Sequence, residues 1–294
     1  MSKPKILAIA ILSLVIVSIF SLSIQLFKSV SAFDLSSSHV EIGKDYLVRG
    51  SYDRAIREFS NALKQKPGDA VALVDRGTAY NQLENYPRAI ADFNQALKLN
   101  PNNALALNNR GVSYLRQGKL NLALSDLDRA TKLNPDDPYA RLNYAGAALA
   151  SFQGDKAAQK LQDYLNRTKW TGKFTGHEAV LAILGLKQSK NEAGASKLLK
   201  TSMEKLSRLD WPYDVLKYLN GKVSPDELLE SVKNSDYDTT QAHCFLALDL
   251  LRQNKPKLAK SHIDWVVKYG TKNSVEFWIA NNLSISTPRP KPTK

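Results

Sequence analysis

The sequence predicts an all-α fold, a right-handed superhelix of stacked helix pairs (an α-α solenoid) followed by additional C-terminal helices. Residues recur at a period of 34, apolar residues within each 34-residue unit show helical spacing, and a proline closes each unit. The recurring positions are Gly43, Gly77 and Gly111; Tyr46, Tyr80 and Tyr114; Ala55, Ala89 and Ala123; Ala62, Ala96 and Ala130; and Pro67, Pro101 and Pro135.

Each unit is predicted to contain two helices joined by a turn. In the second unit we expect the first helix over residues 71–83 and the second over 86–99. Leu73, Gly77 and Tyr80 follow the i, i+4, i+7 spacing of a single helix face. The proline of each unit ends the second helix because it cannot continue the backbone hydrogen bonds. The Pro-Gly-Asp and Pro-Asn-Asn sequences that follow are typical of turns.

These recurring residues resemble the tetratricopeptide repeat (TPR) pattern over three consecutive units, from about residue 36 to 135. The resemblance implies that the first helices of the pairs line a concave groove. Surfaces of this kind mostly bind partners instead of catalysing reactions, so we expect a protein or peptide in this groove. The positions predicted to be exposed there are Lys44, Val48, Val74, Thr78, Asn81, Gln82, Asn108, Val112, Leu115 and Arg116. A clamp for a C-terminal carboxylate is not expected, since Val40, Asp75 and Leu105 replace polar or basic residues.

The rest of the chain follows the period less strictly. In the fourth unit Ala145 replaces the glycine and Ala148 replaces the tyrosine. Farther on, Ser224 and Glu227 are spaced as a capping box at a helix start. The predicted segments are a signal peptide or N-terminal membrane anchor (1–32), three clear TPR units (36–135), a degenerate fourth unit (136–168), a C-terminal helical region (169–283) with a TPR-like pair (239–270), and a disordered tail rich in proline and lysine (284–294).

The N-terminal segment predicts export. Basic residues precede an apolar run over 6–27, and small residues follow at Val30 and Ala32. This arrangement is typical of a secretory signal cleaved after Ala32, but the run is also long enough for an uncleaved anchor, which would contact the membrane. In both cases the repeats are expected outside the cytoplasm. The segment is not a lipoprotein signal, because no cysteine lies near the end of the run.

Composition and charge exclude several classes of function. The formal net charge is +13, but the excess is spread: residues 1–168 hold 21 basic and 15 acidic side chains, and 169–294 hold 20 and 13. A nucleic-acid partner is therefore not expected, since it favours a concentrated basic stripe. The single cysteine, Cys244, excludes an internal disulfide and cysteine-based zinc fingers. No histidine lies in a metal-binding motif, so we predict no metal, no cofactor, no catalytic residue and no enzymatic activity.

The order of segments carries a second resemblance. The chain resembles the NlpI-type TPR proteins of the bacterial cell envelope over about residues 36–283. The resemblance lies in the order of segments: an export signal, TPR units, a short tryptophan-containing helix, an Asn-Gly turn, a Ser-Pro-Asp-Glu helix and a final TPR-like pair. The resemblance implies a scaffold or adaptor that brings peptidoglycan hydrolases and proteases together, often as a homodimer. Those proteins are typically lipid-anchored through a cysteine that this chain lacks.

Two alternatives remain from the residues. The first is a membrane-anchored assembly factor for a membrane protein complex, which requires the N-terminal segment to be retained. The second is a carbohydrate-active or peptidoglycan-associated enzyme, in which aromatic side chains of the C-terminal region stack on sugars. The aromatic residues concerned are Trp211, Tyr213, Trp265 and Trp278.

Overall fold

The computed structural model describes residues 21–22, 35–208, 211–272 and 274–286, and every regular element in these ranges is a helix. The predicted all-α fold class is confirmed. The expected signal or anchor lies outside the described residues, apart from 21–22. Within the ranges described, no helix combines the length and the apolar character needed to cross a bilayer. The chain forms two compact units, Met1–Pro101 (unit 1) and Asn102–Lys294 (unit 2).

Unit 1 contains two helix pairs in its described part. Its helices are α1 (35–48), α2 (Tyr52–Gln65), α3 (Ala70–Gln82) and α4 (Tyr86–Leu99). The pair predicted in the second repeat is confirmed to within one residue. Asp69 sets the start of α3, since its carboxylate accepts hydrogen bonds from the backbone N–H groups of Val71 and Ala72.

The recurring glycines explain how the helices of a pair approach each other. A Cβ atom built on Gly77 would lie 2.7 Å from Cε1 of Phe93, and one on Gly43 would lie 2.6 Å from Cε1 of Phe59. Both rings are fully buried. The aromatic ring of the second helix therefore packs directly onto the backbone of the first, and any side chain at the glycine position would overlap it.

Unit 2 continues with helix pairs and then adds shorter helices. Its helices are α5 (Ala104–Arg116), α6 (Leu120–Leu133), α7 (Pro138–Ala150), α8 (Gly154–Arg167), α9 (Thr175–Gln188), α10 (Glu192–Lys205), α11 (Tyr213–Leu219), α12 (Pro225–Val232), α13 (Asp236–Arg252), α14 (Pro256–Tyr269) and α15 (Val275–Ser286). The capping box of Ser224 and Glu227 opens α12 as predicted. Helix α13 begins earlier than expected because Ser235 caps it, accepting from the backbone N–H of Asp238.

Helix α15 folds back onto the earlier helices of unit 2 and contacts α5, α7, α13 and α14. The side-chain amide of Asn282 donates to the backbone carbonyl of Leu115, with a distance of 3.0 Å. Ile279 and Val275 lie over Gly146, where a Cβ atom would be 3.3 Å and 3.4 Å from them. The helix continues to Ser286, so the disorder predicted from residue 284 is wrong for 284–286; residues 287–294 lie outside the described ranges.

Candidate partner-binding surface

In the second and third repeats, an ion pair joins the first helix to the second helix. Nε and Nη2 of Arg76 donate to the two carboxylate oxygens of Asp92 at 2.8 Å and 2.7 Å. Thirty-four residues later Arg110 contacts Asp126 in the same way, at 2.6 Å and 2.7 Å. These hydrogen bonds raise the pKa of both arginines. Bidentate contacts of this kind orient the side chains on the first helices.

The structure divides the ten predicted groove positions into two sets, according to their spacing from the glycine of the repeat. Positions one and five residues after the glycine are accessible, whereas positions three before and four after it are buried. The accessible positions are Lys44, Val48, Thr78, Gln82, Val112 and Arg116. The buried positions are Val74, Asn81, Asn108 and Leu115, with relative exposures of 3%, 7%, 6% and 1%.

The predicted exposure of these four residues is therefore wrong, and the helical period gives the reason. Residues at i−3 and i+4 share the face of residue i, and the glycine faces the second helix of its own pair. Val74 and Asn81 flank Gly77 in this way. Asn108 and Leu115 stand in the same relation to the glycine of the third repeat. All four belong to the packed face instead of the accessible one.

In unit 1 the accessible positions and one acidic residue form what we call the first-helix surface, defined by Lys44, Val48, Asp75, Thr78 and Gln82. Val48 is 87% exposed. The ammonium of Lys44 donates to the Glu41 carboxylate at 2.8 Å, which raises the pKa of Lys44. The surface combines an apolar side chain, an amide, a cation and a carboxylate, so it offers both contact area and hydrogen-bonding groups.

Asp75 is the unusual member of this surface. Its Oδ2 atom is buried and has no hydrogen-bond partner among the described residues. Burial raises the pKa of Asp75, and the neighbouring charge of Lys44 opposes this effect without cancelling it. The sequence singled out Asp75 only as a residue unsuited to a carboxylate clamp. The sequence feature that could have pointed to Asp75 is an acidic side chain on a first helix, two positions before the repeat glycine.

In unit 2 helix α15 covers part of the corresponding positions. The guanidinium of Arg116 lies over the Trp278 ring, 4.9 Å from its centre. Asn108 accepts a hydrogen bond from the Asn143 side chain at 3.1 Å. The main chain of α5 is also engaged near its end, through the bond from Asn282 to Leu115. Three of the predicted groove positions of unit 2, Asn108, Leu115 and Arg116, thus contact the chain itself.

The aromatic residues considered for sugar stacking take part in internal contacts. The ring of Trp265 stacks on His243, with ring centres 4.1 Å apart. Tyr213 is buried, and the indole N–H of Trp211 donates to Gln241. Arg116 covers one face of Trp278, as described above. In the described part of the chain, no group of three histidine, cysteine, aspartate or glutamate residues is placed to hold a metal.

Comparison with known families identifies the repeats. The TPR repeat family matches residues 77–118, and the tetratricopeptide repeat family matches residues 104–137. Residues 77–137 of this chain thus match tetratricopeptide repeats. A search of curated proteins finds no match.

Several solved structures have a similar fold. A tetratricopeptide repeat protein from Parabacteroides merdae ATCC 43184 is 16% identical, with a TM-score of 0.58 over 85% of this chain and 99% of that chain. MamA is 19% identical, with a TM-score of 0.51 over 65% of this chain and 97% of its own. YrrB, described as a TPR protein with an unusual peptide-binding site, is 19% identical, with a TM-score of 0.51 over 63% and 91%. These likenesses show the fold.

Proposed function

We propose that this protein is a non-enzymatic TPR scaffold that binds an extended segment of a partner protein on the first-helix surface of unit 1. The observation that carries the proposal is the buried Oδ2 atom of Asp75, which lacks a hydrogen-bond partner among the described residues. A buried acceptor without a donor is unfavourable. A ligand that supplies the missing donor removes this deficit, and binding is thereby favoured.

The chemistry of the surface indicates what the partner presents. A carboxylate is best satisfied by a lysine or arginine side chain, because charge-assisted hydrogen bonds are stronger than neutral ones. Val48 and Gln82, both exposed, offer apolar and amide contacts on the same surface. We therefore commit to a partner segment with a basic side chain that reaches Asp75. The peptide-binding site named for YrrB supports a peptide ligand for this fold.

The test compares selection of peptides by two proteins. A displayed peptide library panned against the wild-type chain is expected to yield sequences enriched in lysine and arginine. Binding of a selected peptide should weaken about tenfold in Asp75→Asn, equivalent to about 1.4 kcal/mol. Asp53→Asn is the matched control, since Asp53 is an exposed acidic residue on α2. Equal affinity of wild type and Asp75→Asn, or selection of acidic peptides, contradicts the proposal.

We further propose that the scaffold works outside the cytoplasm, in the bacterial cell envelope. The basic start and the apolar run over 6–27 support export. The order of segments, which resembles NlpI-type proteins, favours peptidoglycan hydrolases or proteases as partners and a homodimer as the assembly. N-terminal sequencing of the exported chain decides the mode of attachment. A chain that starts at Phe33 indicates cleavage, whereas retention of Met1 in the membrane fraction favours the anchored assembly factor.

A further inference from the structure

A cavity of about 490 Å³ in unit 2 is lined by residues of α9, α10 and α11 and of the segments that follow them. Four cationic side chains line it, each from a different part of the fold: Lys187 from α9, Lys200 from α10, Arg208 after α10, and Lys222 in the turn after α11. The fold thus brings four positive charges from residues 187–222 to one cavity. Like charges around one cavity repel each other, and a bound anion relieves this repulsion.

Within the described residues, these cations have no neutralising partner. Among the residues that the structure describes, none of the four side chains forms an ion pair or hydrogen bond. Glu204 is the single acidic residue among those described as lining the cavity, so the described lining carries a formal excess of three positive charges. Elsewhere in unit 2 comparable cations do have partners: Lys217 contacts Asp214 at 2.7 Å.

The floor of the cavity is apolar and well packed. Leu199, Tyr213 and Leu219 line it with exposures of 6%, 6% and 9%. Asn220 adds an exposed amide at the rim. Buried apolar side chains beside cationic ones can hold an anion that has an apolar part, and the volume lies within the usual range of ligand pockets, about 300–1,000 Å³.

We propose that this cavity binds a small anion of the phosphate type that carries at least two negative charges. The planar guanidinium of Arg208 matches two phosphate oxygens, while the three lysines act as point charges around them. The phosphate group can belong to a free polyphosphate or to the headgroup of an anionic phospholipid, and the apolar floor would then contact the start of an acyl chain. This site is independent of the peptide-binding surface proposed for unit 1.

The experiment measures binding to the full chain by titration calorimetry at low ionic strength, with two probes in separate arms. One probe is inorganic pyrophosphate, and the other is a short-chain phosphatidylglycerol below its micelle concentration. Arg208→Gln and Lys200→Gln should each weaken binding by roughly three- to tenfold, as expected for exposed charges. Glu204→Gln should strengthen it, because it removes the opposing charge.

The matched control is Lys197→Gln, which removes an exposed lysine of α10 that does not line the cavity. It makes the same change in net charge and should leave the affinity within twofold of wild type. Tighter binding of pyrophosphate supports a free anion, and tighter binding of the lipid supports a headgroup. Failure of both probes to bind, or equal losses in Lys197→Gln and Arg208→Gln, overturns the proposal.

Discussion

At the scale of single residues, Asp75 is expected to act on binding and on stability in opposite directions. Its buried Oδ2 atom lacks a donor, and burial raises the pKa of the carboxyl group. A raised folded-state pKa means that folding favours the protonated form. The stabilisation is therefore complete below the unfolded pKa of about 3.9, and it is lost as the pH rises through the folded pKa. Above the folded pKa the folded protein carries the ionised, poorly solvated group.

Replacement of this carboxylate should therefore stabilise the protein while it weakens partner binding. We expect Asp75→Asn to raise the free energy of unfolding at pH 7 by a few tenths to about 1 kcal/mol, a value reduced for the partial exposure of the site. The gain should shrink as the pH falls from 7 to 4, since a carboxyl group with a raised pKa takes up its proton before an ordinary one does. Urea unfolding at both pH values measures this, and a destabilised Asp75→Asn at pH 7 contradicts it.

His243 is expected to give the opposite dependence on pH. Its Nδ1 atom lies 2.8 Å from Nδ1 of His262, and burial, with a smaller effect of the His262 charge, lowers the pKa of His243 to about 4. Between about pH 6.5 and pH 4 the unfolded chain therefore binds a proton that the folded chain does not. The free energy of unfolding should fall across this window as the pH decreases.

The variant His243→Gln tests this origin of acid sensitivity. Between pH 7 and pH 5 it should lose about 1 kcal/mol less stability than the wild type, after allowance for the exposed part of the ring. Urea unfolding at the two pH values gives the comparison. Ser261→Ala, an exposed neighbour on α14, should keep the wild-type dependence. Parallel curves for His243→Gln and wild type would assign the acid sensitivity to other groups.

The groove positions show how far a sequence can define a site at this scale. The period identified the first helices and the residues on them, and Lys44, Val48 and Gln82 are accessible as expected. The burial of Val74 and Asn81 could also have been predicted, because both lie on the face of a glycine that must approach a neighbouring helix. The orphaned oxygen of Asp75 could not, since it depends on which donors the neighbouring helix fails to provide.

At the scale of helices, the close contacts of glycines differ in what they meet. Gly77 faces the Phe93 ring, whereas Gly185 faces backbone: a Cβ atom there would overlap the carbonyl oxygen of Gly154 and lie 3.3 Å from the backbone nitrogen of Ala158. A ring can shift slightly, but two helix backbones in contact cannot separate without moving whole elements. Helices α8 and α9 therefore depend on glycine more strictly than α3 and α4.

Alanine substitutions should rank accordingly. Gly77→Ala is expected to cost about 1–3 kcal/mol from overpacking, offset by about 1 kcal/mol of improved helix propensity. Gly185→Ala is expected to cost more than Gly77→Ala, because backbone must give way. Gly68→Ala serves as control, since its Cβ atom would meet only Leu99 at 4.0 Å. Thermal or urea unfolding gives the order, and a Gly185→Ala variant as stable as wild type would show that the α8–α9 crossing is looser than described.

The ion pairs within the second and third repeats show which helix contacts a period can predict. Arg76 and Asp92 recur 34 residues later, so the contact was readable from the sequence once the register was known. In the fourth repeat the equivalent positions hold Tyr144 and Lys160, whose ammonium lies 4.6 Å from the ring centre. A cation–π contact thus replaces the ion pair. This exchange holds the two helices together through a different interaction. It cannot be predicted from the repeat, because the residue types at these positions are not repeated.

At the scale of the whole chain, contacts that repeat with the period could be predicted from the sequence, whereas the position of α15 could not. The helix pairs were predictable because each depends on contacts between neighbouring segments, repeated at one period. The position of α15 was not, because Asn282 contacts Leu115 across 167 residues and belongs to no repeat. A single apolar helix near the end of a chain can pack on many surfaces, and its sequence does not indicate which surface of the preceding helix pairs it covers.

Helix α15 is expected to stabilise the helices of unit 2 on which it packs. Ile279 is fully buried, and its side chain packs on Gly146 of α7, where α7 has no side chain of its own. Ile279→Ala should therefore leave a cavity in this contact and cost about 2–5 kcal/mol. Because α15 also contacts α5 and α13, amide hydrogen exchange should accelerate in α5, α7 and α13. Asn281→Ala, on a more accessible face of the same helix, should change exchange little. Unchanged protection of α5 and α7 in Ile279→Ala would mean that these helices hold together without α15, whereas accelerated exchange shows that the C-terminal helix is an integral part of the core of unit 2.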